Sequence, residues 1–177
     1  YGDFAGANVD IVSKTYKGSG MIEVGSGMNA NSNAISQNQF YLQDGPSFHG
    51  FSNQAIPNNP LAGYNFTTSW NKQAVTPIGS SFYFRGGDSY SVGSNGKLSF
   101  FLNTSFDNGY TFKEGVRRGS VNTQAVAVKN LYRKAYEYQT SSNAMANINY
   151  KINSNHNIKL NTMYINSTSQ KHEEFTG

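Results

Sequence analysis

Three histidines, His49, His156 and His172, are the side chains best suited to move a proton or ligate a metal, and each stands alone in a polar, turn-like context. None is spaced from a carboxylate or a second histidine as a catalytic pair or metal site requires. Thiolate ligands and disulfides are excluded because there is no cysteine. Glu173-Glu174 beside His172 could touch a cation, but a solvated polar segment is the simpler expectation. Gly18-x-Gly20 and Gly25-x-Gly27 lack the strand–GxGxxG–helix setting of a nucleotide site. Lys113 with Arg117-Arg118 is a weak basic grouping, and it does not predict a nucleic-acid partner. Asn65-Phe66-Thr67, Asn103-Thr104-Ser105 and Asn166-Ser167-Thr168 match a glycosylation acceptor, as an Asn-rich chain does by chance. The expectation is a protein that is not an enzyme and uses no cofactor or metal. Its ligand-contact candidates are Phe48, His49, Phe51, Tyr64 and Trp70, which could stack on a sugar or cap an apolar ligand. The plainer alternative is that they pack their loop against the rest of the protein.

The elements that would carry such loops alternate with a period of two. Between residues 136 and 152 the even positions run Tyr136, Tyr138, Thr140, Ser142, Ala144, Ala146, Ile148, Tyr150, Ile152, while the odd positions are polar except for Met145. This is a strand between two unlike environments. Asn153-Ser154-Asn155-His156 reads as a turn, after which Ile158, Leu160, Thr162 and Tyr164 continue one parity, so the two runs form a hairpin. The first run exceeds the about 3–10 residues usual in soluble sheets. Its aromatic rings sit near its ends and its middle is small and aliphatic, as in a strand that crosses a bilayer.

A second hairpin obeys the same logic. Phe82, Phe84, Gly86, Tyr90 and Val92 share a face, Gly93-Ser94-Asn95-Gly96 turns, and Leu98, Phe100, Leu102, Thr104 and Phe106 return. Asp88 interrupts the apolar parity, Phe101 the polar one, and Asp107-Asn108-Gly109 reads as a bulge or the upper end of the strand. An earlier strand alternates Ile22, Val24, Ser26 and Met28 with Met21, Glu23, Gly25 and Gly27. Strands are thus expected near residues 20–30, 78–92, 97–110, 134–152 and 157–167, with long external loops over 31–77 and 111–133. Within the second loop, residues 124–128 fit either a short helix or an extended piece. The polar run Ser167 to Glu174 reads as the beginning of another loop.

The 177 residues suffice for one domain or part of one; only 14% are charged, yet there are 12 Tyr and 12 Phe. Such a chain is polar through neutral groups, unlike disordered chains rich in charge or proline. There is no apolar run of the about 18 residues a membrane helix needs, which leaves barrel strands open. Long and short connections alternate, as the external loops and periplasmic turns of an outer-membrane barrel do. The fold class expected is therefore all-β, a partial transmembrane antiparallel β-barrel. Five strands fall short of the about 8 of the smallest such barrels, and the sequence opens at Tyr1 without a leader, so an internal piece of a longer protein is expected. Phe82, Phe84, Leu98, Phe100, Leu102, Ile148 and Leu160 are expected to face lipid. Arg85, Asn147, Asn149 and Asn161 are expected to face the lumen, because a lipid-facing Arg at the midplane costs about 2–4 kcal/mol.

The stretch Gly2-Asp3-Phe4-Ala5-Gly6-Ala7-Asn8-Val9-Asp10-Ile11-Val12-Ser13-Lys14, the glycine hinge and the strand from Met21 resemble the plug-to-barrel junction of TonB-dependent outer-membrane receptors. The similarity is greatest to the SusC-like branch of Bacteroidota. Phe51 to Leu61 and Ser105-Phe106-Asp107-Asn108-Gly109-Tyr110 are similar to it as well. The resemblance implies that residues 1–17 end a plug domain and residues 18–177 begin a plugged barrel of about 22 strands. It implies uptake of a nutrient ligand (glycan, peptide or metal chelate) across the bacterial outer membrane. The implied partners are outer-membrane lipid, a TonB-type energy-transducing complex, and a surface lipoprotein lid or other outer-membrane subunits. It also implies that Arg85 pairs with plug carboxylates. Two other functions fit the same residues: a non-transporting structural subunit of an outer-membrane complex, and a β-rich surface adhesin.

Overall fold

The computed structural model describes residues 16–43, 47–52, 58–59, 72–120, 122–127 and 129–177. In chain order its elements are β1 (Met21–Ala30), α1 (Ser32–Ile35), β2 (Phe40–Gln43), β3 (Lys72–Val75), β4 (Ile78–Val92), β5 (Gly96–Arg118), β6 (Asn130–Lys151) and β7 (Asn157–Thr176). A five-stranded sheet has the order β1-β4-β5-β6-β7, and β2 pairs with β3 in a second, two-stranded sheet. The sheets are antiparallel, so the chain is all-β.

Three expectations change. The strand expected to end near residue 110 continues to Arg118, so Asp107-Asn108-Gly109 lies inside it and is not its upper end. The external loop expected over 111–133 therefore shrinks to 119–129. There Gly119 N–H donates to Lys129 O at 2.8 Å and Asn122 Oδ1 accepts from Gln124 N and Val126 N, turning the chain through Ala125 at φ 61°. That local cap answers the open question over residues 124–127 with a turn; residue 128 lies outside the described residues. Second, the run from Ser167 to Glu174 is strand, since β7 extends to Thr176. Its polar side chains are held by hydrogen bonds and ion pairs to β6 and β3, which polarity alone does not reveal. Third, the stretch 31–77 is not a featureless loop. Asn31 caps α1, its Oδ1 accepting from Asn33 N at 3.0 Å and Ala34 N at 3.2 Å, and β2 meets β3 with Phe40 opposite Val75.

Contacts divide the chain into two compact units. The first comprises Tyr1–Glu23, Phe84–Asn103 and Ala144–Met163; the second comprises Val24–Tyr83, Thr104–Asn143 and Tyr164–Gly177. The division therefore falls within all five long strands. In the second unit Phe40 and Leu42 of β2 bury themselves with Ala34, Phe112, Tyr136 and Tyr138. Phe40 is 1% exposed and meets the rings of Tyr136 and Tyr110 edge-on, at 5.2 and 5.5 Å. Burying such a ring contributes about 1.5–3 kcal/mol, and each edge-on pair about 0.5–1.5 kcal/mol more. This aromatic cluster fastens the two-stranded sheet to β5 and β6.

Candidate functional site

In the first unit, alternation separates two kinds of surface. At one set of positions Arg85 on β4 pairs with Glu23 on β1 at 2.6 Å, and Asn147 Nδ2 on β6 donates to Asn161 Oδ1 on β7 at 2.8 Å. Arg85 was expected to meet plug carboxylates; residues 1–15 of that expected plug segment lie outside the described residues, and the described partner of Arg85 is Glu23 of the neighbouring strand, on the same parity. Asn149 shares that set, and its Oδ1 is buried without a hydrogen-bond partner among the described residues. The alternate positions hold Ile22, Phe84, Leu98, Phe100, Leu102, Ile148 and Leu160. Ile22 is 79% exposed and Leu160 55%, so this apolar set is not the inside of a dry core. Ile22, Phe84, Tyr90, Phe100 and Leu102 border a shallow recess of about 560 Å3 with Gly86 at its floor. Asp88, which breaks the apolar pattern, turns a carboxylate oxygen back onto its neighbour's N–H, Ser89 N, at 2.7 Å.

The second unit holds the expected ligand contacts, in so far as they are described. Phe82, from the apolar set of β4, belongs to this unit and is exposed. Ser47 to Phe51 form a tight turn, with Gly50 N–H donating to Ser47 O at 2.8 Å. Gly50 has φ 81°, and a Cβ there would fall 2.1 Å from Thr168 Oγ1 and 2.6 Å from Thr140 Oγ1, so close docking requires glycine. Phe48 and His49 both rest against the ring of Phe106, at 5.4 and 5.0 Å. Their carbonyls accept from the hydroxyls of Tyr138 and Thr140. Phe48 and His49 thus anchor the turn through Phe106 and their carbonyls, although Phe48, like Phe51, is half exposed. Tyr64 and Trp70 lie outside the described residues.

Sequence reasoning missed two groups. One is a buried polar hub at Asn108, which is 2% exposed. Its Oδ1 accepts from Ser80 N at 2.6 Å, its Nδ2 donates to Tyr138 Oη at 2.9 Å, and its carbonyl accepts from Asn29 Nδ2 at 3.0 Å. The signal available was an Asn on the apolar parity of a strand. The other is the charged end of β5–β7. Lys72 bonds Glu174 at 2.5 Å and lies over the ring of Tyr41, and His172 is 3.3 Å from the same carboxylate. Glu173 receives Arg133 and Lys171. The hydrogen bond from Lys72 holds the Glu174 carboxyl below its ordinary range, and that from Lys171 does the same for Glu173. The cation that Glu174 meets is therefore a lysine of this chain.

The fold and its surfaces define an all-β protein of long antiparallel strands, with an exposed apolar set, a polar set and a docked loop sheet. Comparisons with known protein families, with curated proteins and with solved structures found no match. No helix among the described residues is long and apolar enough to cross a membrane, which says nothing of strands.

Proposed function

We propose that this chain is part of a plugged outer-membrane β-barrel of the TonB-dependent receptor type, which takes up a nutrient ligand across the bacterial outer membrane. The observation that carries the reading is the alternation in the first unit. Exposed Ile22, Leu102, Ile148 and Leu160 alternate with the Glu23–Arg85 and Asn147–Asn161 pairs, as lipid and lumen would demand. Strand length supports it. The 23 residues of β5 span about 76 Å, whereas a tilted membrane strand needs only about 9–11 residues. On this reading the ends of β5, β6 and β7 that carry Arg117, Arg133 and Glu173 stand clear of the bilayer, where a ligand arrives. Uptake would then depend on an energy-transducing complex acting on the plug, and a surface lipoprotein could close the external face.

No cysteine occurs among these 177 residues, so cysteines introduced here report their own positions once any cysteine elsewhere in the intact protein is replaced. Single cysteines at Asn147, Ile148, Leu160 and Asn161 in the intact protein, in its own membrane, are labelled with an environment-sensitive fluorophore. Quenching by spin-labelled lipid is expected at 148 and 160 and not at 147 and 161. Equal aqueous access at all four positions would end the membrane reading and favour the adhesin.

A further inference from the structure

The charged ends of β5, β6 and β7 carry more positive charge than they neutralise. A recess of about 590 Å3 is lined by Lys113, Glu114 and Arg117 from β5, Arg133 from β6, and Lys171 and Glu173 from β7, four cations against two carboxylates, of which Glu114 is engaged by Tyr132. Glu173 accepts from Arg133 at 2.5 Å and lies 2.7 Å from Lys171 Nζ, with Arg117 Nη1 3.7 Å away. One carboxylate thus serves three cations. Arg117 and Lys171 remain 63% and 44% exposed, so both can reach a second anion. Gly115 stands between Lys113 and Arg117 on the same parity. No heavy atom lies within 4 Å of where its Cβ would be, which leaves the recess open between them. The guanidinium of Arg117 lies 5.6 Å from the Phe175 ring, an arrangement that steadies it without using its hydrogen-bond donors.

We propose that this recess binds the carboxylate or phosphate groups of an anionic ligand, with Glu173 as a built-in competitor for the same cations. The chemistry comes from the donors. Arg117 offers a planar fork that matches such groups, and Lys113 and Lys171 supply point charges on either side. This deepens the uptake reading by giving the ligand its class; binding itself stands without that reading, and only the transport of the bound ligand rests on it. Soluble anions and anionic lipid headgroups present the same groups, so the test separates them.

Binding is measured by calorimetry on the intact protein, in neutral detergent with citrate and with pyrophosphate, and in phosphatidylcholine nanodiscs with and without phosphatidylglycerol. Heat from citrate or pyrophosphate supports a soluble ligand; a response to phosphatidylglycerol alone supports the headgroup source. In either case Arg117→Gln should weaken binding about tenfold, as expected for one charge-assisted hydrogen bond at a partly exposed site. Glu173→Gln should tighten it, opposite to what loss of a structural ion pair would do. Because Arg133 loses its partner in Glu173→Gln, the more exposed Arg117→Gln keeps the test decisive if the former misfolds. No binding in any setting, or an unchanged affinity in Arg117→Gln, overturns the proposal. The cysteine-labelling result is independent of either outcome.

Discussion

Replacing Tyr138 by Phe removes one oxygen atom from a strand and should loosen a loop about 90 residues away in the chain. The Tyr138 hydroxyl donates to Phe48 O at 2.5 Å and accepts from Asn108 Nδ2 at 2.9 Å. Its side chain is 4% exposed and Asn108 2%, so water cannot take the place of the lost acceptor at Asn108. The bond to Phe48 O is only partly buried, so leaving that carbonyl unpaired costs less. The cost is therefore set by the stranded Asn108 amide, about 1–3 kcal/mol, while the ring and its packing against Tyr110 at 4.7 Å are kept. Part of that cost falls on docking of the turn from Ser47 to Phe51, because the same hydroxyl fastens it. A loss of about 1.4 kcal/mol corresponds to tenfold more frequent opening. Hydrogen exchange reads this locally and does not require reversible global unfolding. The Gly50 amide, bonded to Ser47 O, should exchange about tenfold faster in Tyr138→Phe, with amides of β7 near Ile158 unchanged. Unchanged exchange at Gly50 would refute the idea that this hydroxyl joins strand and turn.

Gly79→Ala should destabilise the protein by about 1–3 kcal/mol, because the new methyl would fall 2.4 Å from the Asn108 carbonyl, a backbone atom that cannot rotate aside. Gly27→Ala, whose nearest neighbour is the Ser81 hydroxyl at 2.8 Å, should cost less; comparing their denaturation midpoints checks the order. The latch between β3 and β7 should depend on pH at both extremes. The Glu174 carboxyl is held below its ordinary 4.5, so its contribution is present above that value and is lost as pH falls through the depressed one. Lys72 is held above its ordinary 10.5, so its contribution is present below that value and is lost as pH rises through the raised one. Proteolytic nicking of the β2–β3 region should therefore be slow and flat across neutral pH and faster in acid and in strong alkali, with the alkaline limb lost and the acid limb weakened in Lys72→Met.

Much of the architecture was legible in the residue order because a strand states its own period. Ile148, Tyr150 and Ile152 against Asn147, Asn149 and Lys151 need only the pleat to be read as two faces, and Gly93 to Gly96 needs only turn chemistry. Where the strands stop was not legible. Ser167 to Glu174 is polar, and residues 111–118 are polar apart from Phe112 and Val116; a largely polar strand differs from a polar loop only in what its side chains meet across the sheet. Glu137 meets Ser169 and Glu173 meets Arg133, partners 32 and 40 residues away. The site divides in the same way. Arg85 announced a polar neighbour by its parity, but Glu23 as that neighbour depends on β1 lying beside β4, a connection spanning 62 residues. Phe48 and His49 were visible as loop aromatics; that they fasten the turn to Phe106, Tyr138 and Thr140 was decided by docking. Periodicity is a property of adjacent residues and survives in a string of letters. Charge neutralisation, burial of Phe40 and Asn108, and the surplus of cations around Glu173 are sums over strands brought together by folding, so only the tertiary structure could decide them.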